Sequence, residues 1–271
     1  VGSVQWSHLT RDAASRTSAA RADQDWTLAT PKVGVNWAAT PTTRLWANLS
    51  RSHEAPTYWE IVSATVAANS PATASAELVR LAAQRATTLE VGGEGQWGEG
   101  ARPVRWSAAA YRSILADELI STTDANGIEV GTYNYRSGTL HQGLELGLAG
   151  AQPLLGGVLD WRASWTLSDY RFRGGVYAGK QIAGVPRHLI NAELMLRQGA
   201  WRVGPNLRWL PVDTPTDHAN TPGTEQDGYA LLGIKLEWVQ GPWAGYLQAD
   251  NLTDRRYASS YAIRNQATAA Q

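Results

Sequence analysis

The feature that most constrains this chain is an alternation of apolar and polar side chains with a period of two, sustained over unusually long runs. Leu144, Leu146 and Leu148 oppose Gly143, Glu145 and Gly147, and Trp161, Ala163, Trp165 and Leu167 oppose Arg162, Ser164, Thr166 and Ser168. Ile190, Ala192, Leu194 and Leu196 oppose Asn191, Glu193 and Arg197, and Leu232, Ile234, Leu236 and Trp238 oppose Gly233, Lys235 and Glu237. Successive side chains of a strand point to opposite faces, so each run has one apolar and one wet face. The alternation predicts about eleven strands, near 2–10, 30–39, 44–52, 85–97, 104–118, 132–148, 159–173, 187–198, 201–210, 229–239 and 243–257. Several exceed the roughly five or six residues of an ordinary strand and reach the about nine to eleven that a tilted strand needs to cross a bilayer.

The connections alternate in length. Thr40 to Thr43, Gly98 to Pro103, Ala149 to Val158, Gly199–Ala200 and Gln240 to Pro242 are short. Arg11 to Ala29, His53 to Gln84, Ile120 to Gly131, Gly174 to Pro186 and Pro211 to Gly228 are long. Short turns at one end and long loops at the other are the signature of an up-and-down transmembrane β-barrel. No motif recurs at a fixed period, which argues against a solenoid.

The aromatic inventory agrees with a membrane wall: 13 Trp and 10 Tyr, but one Phe and one Met. Trp and Tyr suit positions with one end apolar and the other wet. Trp37, Trp46, Trp97, Trp106, Trp161, Trp201, Trp238 and Trp243 flank the short turns; most share the apolar parity, Trp46 does not, and Trp106 is ambiguous. Tyr111, Tyr133, Tyr135, Tyr170 and Tyr257 lie nearer the long loops, as a second interface belt would require, whereas Trp26 and Trp59 fall in long loops. The competing reading is a soluble β-sandwich, which has no reason to concentrate Trp beside one class of turn. Glu90, Glu94, Glu145, Glu193, Glu237, Arg162, Arg197 and Lys235 are expected to face the lumen, with Gly92, Gly93 and Gly95 as small lumen-facing residues. An Arg or Lys facing hydrocarbon at mid-depth costs about 2–4 kcal/mol.

Charge and composition exclude several functions. Lys plus Arg is 24 and Asp plus Glu is 24, a net charge of zero that argues against nucleic acid as a partner. The chain has no Cys, which removes disulfides, thiolate metal sites and a Cys nucleophile. No two His residues have the spacing of a metal site on one element, and no Gly-x-Ser-x-Gly elbow occurs, so no catalytic residue, metal or cofactor is expected. An outer-membrane hydrolase would have to draw on pairs such as His141 and Ser164, on neighbouring predicted strands. Candidate ligand contacts are Tyr58, Trp59, Tyr170, Arg171, Arg173 and Tyr177 at the bases of long loops, with Arg187 nearby and His218 beside Asp217 in a long loop. Arg with Tyr or Trp suits an anionic or aromatic chelate, through bidentate hydrogen bonds and stacking. Equally, such residues serve as interface aromatics and lipopolysaccharide-facing cations.

Five segments, in order, resemble the barrel domain of TonB-dependent receptors. Ser50-Arg51-Ser52-His53-Glu54-Ala55-Pro56-Thr57 is similar to a strand-to-loop segment of that family, with His53 where Phe is commoner. Thr88-Leu89-Glu90-Val91-Gly92 resembles the strand that follows, and Asn134-Tyr135-Arg136-Ser137-Gly138 with Gln142-Gly143-Leu144-Glu145 the Asn-x-Gly, Gly-x-Glu strand. Gly184-Val185-Pro186-Arg187-His188 is similar to a Pro-x-His strand entry, and Asp250-Asn251-Leu252-Thr253-Asp254-Arg255-Arg256-Tyr257 to an Asn-Leu-Phe-Asp-x-x-Tyr segment, with Thr253 in place of Phe. The resemblance implies an all-β, antiparallel up-and-down transmembrane barrel, of which residues 1–271 supply the C-terminal portion, about half of roughly 22 strands, without the plug domain, the first half or the last strand. It implies a bacterial outer-membrane import receptor for a ferric siderophore or another small scarce ligand such as haem, cobalamin or a copper chelate. The implied partners are that ligand, the TonB complex through a plug segment, and outer-membrane lipid and lipopolysaccharide. A passive channel or adhesin barrel is the alternative.

Overall fold

A computed structural model describes residues 1–14, 16, 19, 21–65, 75–98, 102–123, 129–258 and 263. Among them the chain forms fifteen strands: β1 Gly2–Ala14, β2 Arg21–Thr40, β3 Thr43–Glu54, β4 Val62–Thr65, β5 Ser75–Leu78, β6 Gln84–Trp97, β7 Val104–Ala116, β8 Glu118–Thr123, β9 Glu129–Tyr135, β10 Thr139–Leu154, β11 Gly157–Phe172, β12 His188–Gln198, β13 Trp201–Leu210, β14 Tyr229–Gln240 and β15 Trp243–Ala249. Eleven pair into one antiparallel sheet, in the order β1-β2-β3-β6-β7-β10-β11-β12-β13-β14-β15. The remaining four make two hairpins, β4–β5 and β8–β9, inserted in long loops. A one-turn helix α1, Tyr58–Ile61, precedes β4.

Register fixes the faces, because residues opposite one another share a face. One rung runs Leu45, Gly93, Ala108, Leu146, Trp165, Ile190, Trp209. The next toward the long loops runs Ala47, Val91, Ala110, Leu144, Leu167. On this apolar face Val35, Trp37, Leu89, Trp97, Trp201 and Trp243 are between 51% and 71% exposed. Exposed apolar surface of this extent marks an interface, and sheets that cross lipid have this character. On β11 the outward side chains run Trp161, Ala163, Trp165, Leu167 before the first charge, Asp169, a length that fits a tilted crossing strand.

The opposite face is wet and ion-paired. Glu193 takes Arg162 at 2.9 Å and also Lys235, Asp160 takes Arg197, Arg44 reaches Glu94 at 3.4 Å, and Arg202 lies 3.6 Å from Glu237. Trp46, the one short-turn Trp of the wrong parity, lies on this side and donates to Glu90 at 3.0 Å. Its indole covers Gly92, where a Cβ would sit 2.4 Å from the ring. Gly93 and Gly95 correct the sequence expectation: they alternate to the outward face, beneath Leu45 and Trp106. Trp106 is outward too, stacked on Trp97 at 5.7 Å.

Several boundaries differ from those predicted. The β10–β11 connection is only Leu155–Gly156, both at positive φ (49° and 74°), a tight primed hairpin turn that Gly tolerates at no steric cost. Alternation alone placed this turn across 149–158, because Pro153-Leu154-Leu155 carries no polar punctuation. Strand β2 starts at Arg21, not near 30, and its first residues reach the segment 79–81. There Gln24 exchanges hydrogen bonds with Val79 and Leu81, and Trp26 donates to the Leu81 carbonyl at 3.2 Å, which explains a Trp in a predicted loop. The predicted strand 132–148 is two elements, β9 and β10, split at Arg136–Gly138, and β15 ends at Ala249. Past Tyr257 most of the chain to Gln271, where a missing last strand was expected, lies outside the described residues.

Candidate functional site

The sheet is concave on its wet side, which forms two hollows. One, of about 690 Å³, is bounded by Glu94, Arg105, Ser107, Arg162, Glu193 and Lys235. The second, about 670 Å³ and nearer the short turns, is bounded by Arg102, Arg105, Asp160, Arg197, Arg202 and Glu237. Such a wall offers fixed charges of both signs to whatever fills or passes the lumen.

At the long-loop end the same face carries a polar and aromatic cluster. His141 stacks on Tyr170 with ring centroids 4.2 Å apart, and the Tyr170 hydroxyl hydrogen-bonds that of Tyr111 at 2.9 Å. His141 Nε2 lies 3.3 Å from Glu118 Oε1, off hydrogen-bond alignment, and Thr139 donates to Glu118. Tyr111 and Tyr170 therefore face the lumen and are not an interface belt. On the outward face, five residues before Tyr170 along β11, Trp165 donates to His188 Nδ1 at 3.1 Å, and Trp209 lies two strands away on the same rung as Trp165.

Above the sheet the inserted loops pack on one another. Ile120, Tyr135, Phe172 and Ile182 form a buried core, flanked by Tyr133, Tyr170, Tyr177 and Val185. Phe172, the single Phe of the chain, sits 4.7 Å from Tyr135, 5.1 Å from Tyr177 and 5.1 Å edge-on from His218. Buried Asp217 accepts from Thr221 N, Thr221 Oγ1 and Thr224 Oγ1, which fixes the turn presenting His218. His218 Nδ1 in turn accepts from Ala183 N at 3.3 Å. Asn134 ties Ala82 through both its N–H and its carbonyl, at 2.8 and 2.9 Å. Burial pushes the Tyr133 hydroxyl up to about 12 and raises Tyr177 too, with neighbouring Tyr hydroxyls adding to both, so both remain donors at neutral pH.

The residues predicted as ligand contacts are not all gathered. Tyr177 and His218 meet at 5.9 Å through the Phe172 core, and Tyr170 lies just below, on the lumen wall. Arg173 is exposed beside Gly138. Arg171 points outward and is held by Asp169 at 2.7 Å. Tyr58 and Trp59 lie on α1, 53% and 88% exposed, with the Arg11 guanidinium 5.3 Å from the Tyr58 ring centre. Sequence reasoning missed Phe172, Glu118 and His141 as parts of the mouth; the lone Phe in a Trp- and Tyr-rich chain was the signal available. His141 and Ser164 do not assemble. His141 pairs with Tyr170 and Ser164 with Gly147, six residues further along β10, which at about 3.4 Å per residue is roughly 20 Å.

The burial of His218 is expected to make this loop cluster pH-sensitive. Burial lowers its pKa below the ordinary 6.5, opposed by Glu118 and Asp217. The closed loop therefore binds the proton less well than the opened one. Stability from the neutral imidazole is intact above pH 6.5 and is lost as pH falls through the lowered value in the closed loop. Hydrogen exchange across 214–221 is expected to accelerate as pH drops below 6.5, and His218→Gln to remove that dependence. A pH-independent exchange rate, after correction for intrinsic chemistry, would count against it.

The family model described as TonB dependent receptor-like, beta-barrel matches residues 1–252. Solved structures share the fold. The copper transporter OprC superposes with a TM-score of 0.72 at 16% identity, covering 97% of this chain and 40% of that one. The siderophore receptor PiuA from Acinetobacter baumannii gives 0.69 at 17% identity, covering 96% and 37%. The ferric yersiniabactin uptake receptor FyuA from Yersinia pestis gives 0.66 at 17% identity, covering 94% and 38%. The chain thus spans about two fifths of the length of the structures it matches. No curated protein sequence matches it.

Proposed function

The chain belongs to the TonB-dependent receptor β-barrel family, and from that premise we propose that it is the C-terminal portion of an outer-membrane import receptor for a ferric siderophore or a similar small metal chelate. The observation that carries the reading is the division of one long sheet into an exposed apolar face and a concave face of interlocked charges. A soluble sheet would bury the first face; a membrane wall leaves it to lipid and keeps the charges in the lumen. The siderophore receptors among its structural relatives support the ligand class.

In this reading the barrel performs no bond chemistry. Tyr58, Trp59 and Arg173 are the open contacts, Tyr170, Tyr177 and His218 shape the mouth, and Arg171 braces the rim through Asp169. Aromatic faces and a guanidinium suit a chelate that is flat, anionic or both. Coupling to the TonB complex would run through a plug segment outside residues 1–271. The test is titration of the full-length receptor with a panel of ferric siderophores and copper chelates, followed by intrinsic Trp fluorescence, with growth of a gene-deleted strain on each chelate as sole metal source. Saturable binding of one ferric chelate, and loss of growth on it, is expected. Binding of none, with passive uptake of small solutes in its place, would overturn the reading in favour of an ungated channel.

A further inference from the structure

Three arginines crown the apolar band on its outward side. Leu49 pairs with Leu89, which pairs with Arg112; one rung above, Arg51 pairs with Thr87; above that, Arg85 pairs with His53. Arg51, Arg85 and Arg112 thus occupy three adjacent strands within three successive rungs of one face. Strands lie about 4.8 Å apart and same-face residues about 6.8 Å apart along a strand, so the guanidinium groups can converge on one small anion. All three residues are exposed. Leu49 and Leu89, on the rung of Arg112, and Val91, one rung below, are 49%, 53% and 47% exposed.

The charge of this cluster is not balanced. Arg85 reaches Asp117 at 3.6 Å, but neither Arg51 nor Arg112 enters an ion pair among the described residues. His53, between Arg51 and Arg85 on the same face, leaves its Nδ1 without a hydrogen-bond partner there. The contrast is Arg171, on the same rung as Arg51, which Asp169 neutralises. Uncompensated guanidinium groups standing on exposed leucines sit where hydrocarbon gives way to headgroups. The group there that matches them in charge and in bidentate geometry is a phosphate monoester.

We infer that Arg51, Arg85 and Arg112 form a docking site for the phosphorylated headgroup of a membrane lipid, whose acyl chains lie along Leu49, Leu89 and Val91. This rests on the reading above that the apolar face meets lipid. The test uses full-length receptor in nanodiscs of phosphatidylcholine with diphosphoryl lipid A, and counts lipid A retained per protein by native mass spectrometry. Retention should fall about five-fold for Arg51→Gln or Arg112→Gln and about twenty-five-fold for the pair, while Arg171→Gln retains the wild-type level. Heat-modifiable gel mobility reports that each variant is folded. Wild-type retention by a folded double variant would overturn the site, as would displacement of lipid A by inorganic phosphate alone. Failure of the wild-type receptor to insert into nanodiscs would instead sink the membrane reading on which the site rests.

Discussion

Replacing Leu146 by Arg is expected to cost about 2–4 kcal/mol of folding free energy in a bilayer, roughly a thirty- to thousand-fold change in the folded ratio. Leu146 lies on the outward rung between Ala108 and Trp165, and its side chain is 36% exposed on the face proposed to meet lipid. An Arg there must snorkel past Leu144 and Leu148 or take water into the hydrocarbon. Thr166, one residue along the neighbouring strand, faces the opposite way, beside Glu145. Thr166→Arg should stay within about 0.5 kcal/mol, because its charge enters a wet lumen with a carboxylate in reach. Urea titration of the full-length receptor folding into phosphatidylcholine vesicles, followed by Trp fluorescence, measures both. Equal costs for the two substitutions would mean that neither face meets hydrocarbon.

That contrast depends on register, and register was largely legible in the sequence. A one-residue slip would move every side chain of a strand to the other face, so long alternating runs such as 161–168 and 190–197 left little freedom. The two-residue turn at Leu155–Gly156 was not legible, since nothing in Pro153-Leu154-Leu155 signals where the strand stops. For the aromatics, position along the strand misled where parity would not have. Tyr111 and Tyr170 looked like interface residues by their position along the strand. They face inward because they share parity with Ser107, Ser164 and Ser168, a test that the sequence permits. The candidate site was least legible. Tyr177 and His218 are far apart in sequence and meet only because Phe172, Ile182 and Ile120, from separate elements, pack between the loops. Contacts between loops obey no period, so no alternation predicts them.

The same packing sets the second large expectation. Phe172→Ala should destabilise the loop cap by about 3–5 kcal/mol, from lost burial and the cavity left behind. Phe172 is 1% exposed and touches rings from three separate segments: Tyr135 of β9, Tyr177 of the β11–β12 loop and His218 of the β13–β14 loop. Removing it strips a shared contact from all three, whereas β10 and β11 below are held by their own ladder. The loss should therefore be local. Hydrogen exchange should rise across 175–185 and 214–221 and stay unchanged within 141–168, and affinity for any ligand gripped at the mouth should fall while the barrel still migrates as a folded species. Phe172→Leu, which keeps most of the volume, should cost less than about 1.5 kcal/mol and restore most of the affinity. Uniform loss of protection through β10 and β11 would show that cap and wall unfold as one unit. In that case the mouth could not rearrange for a ligand without disturbing the wall, and the gating expected of such a receptor would have to lie elsewhere.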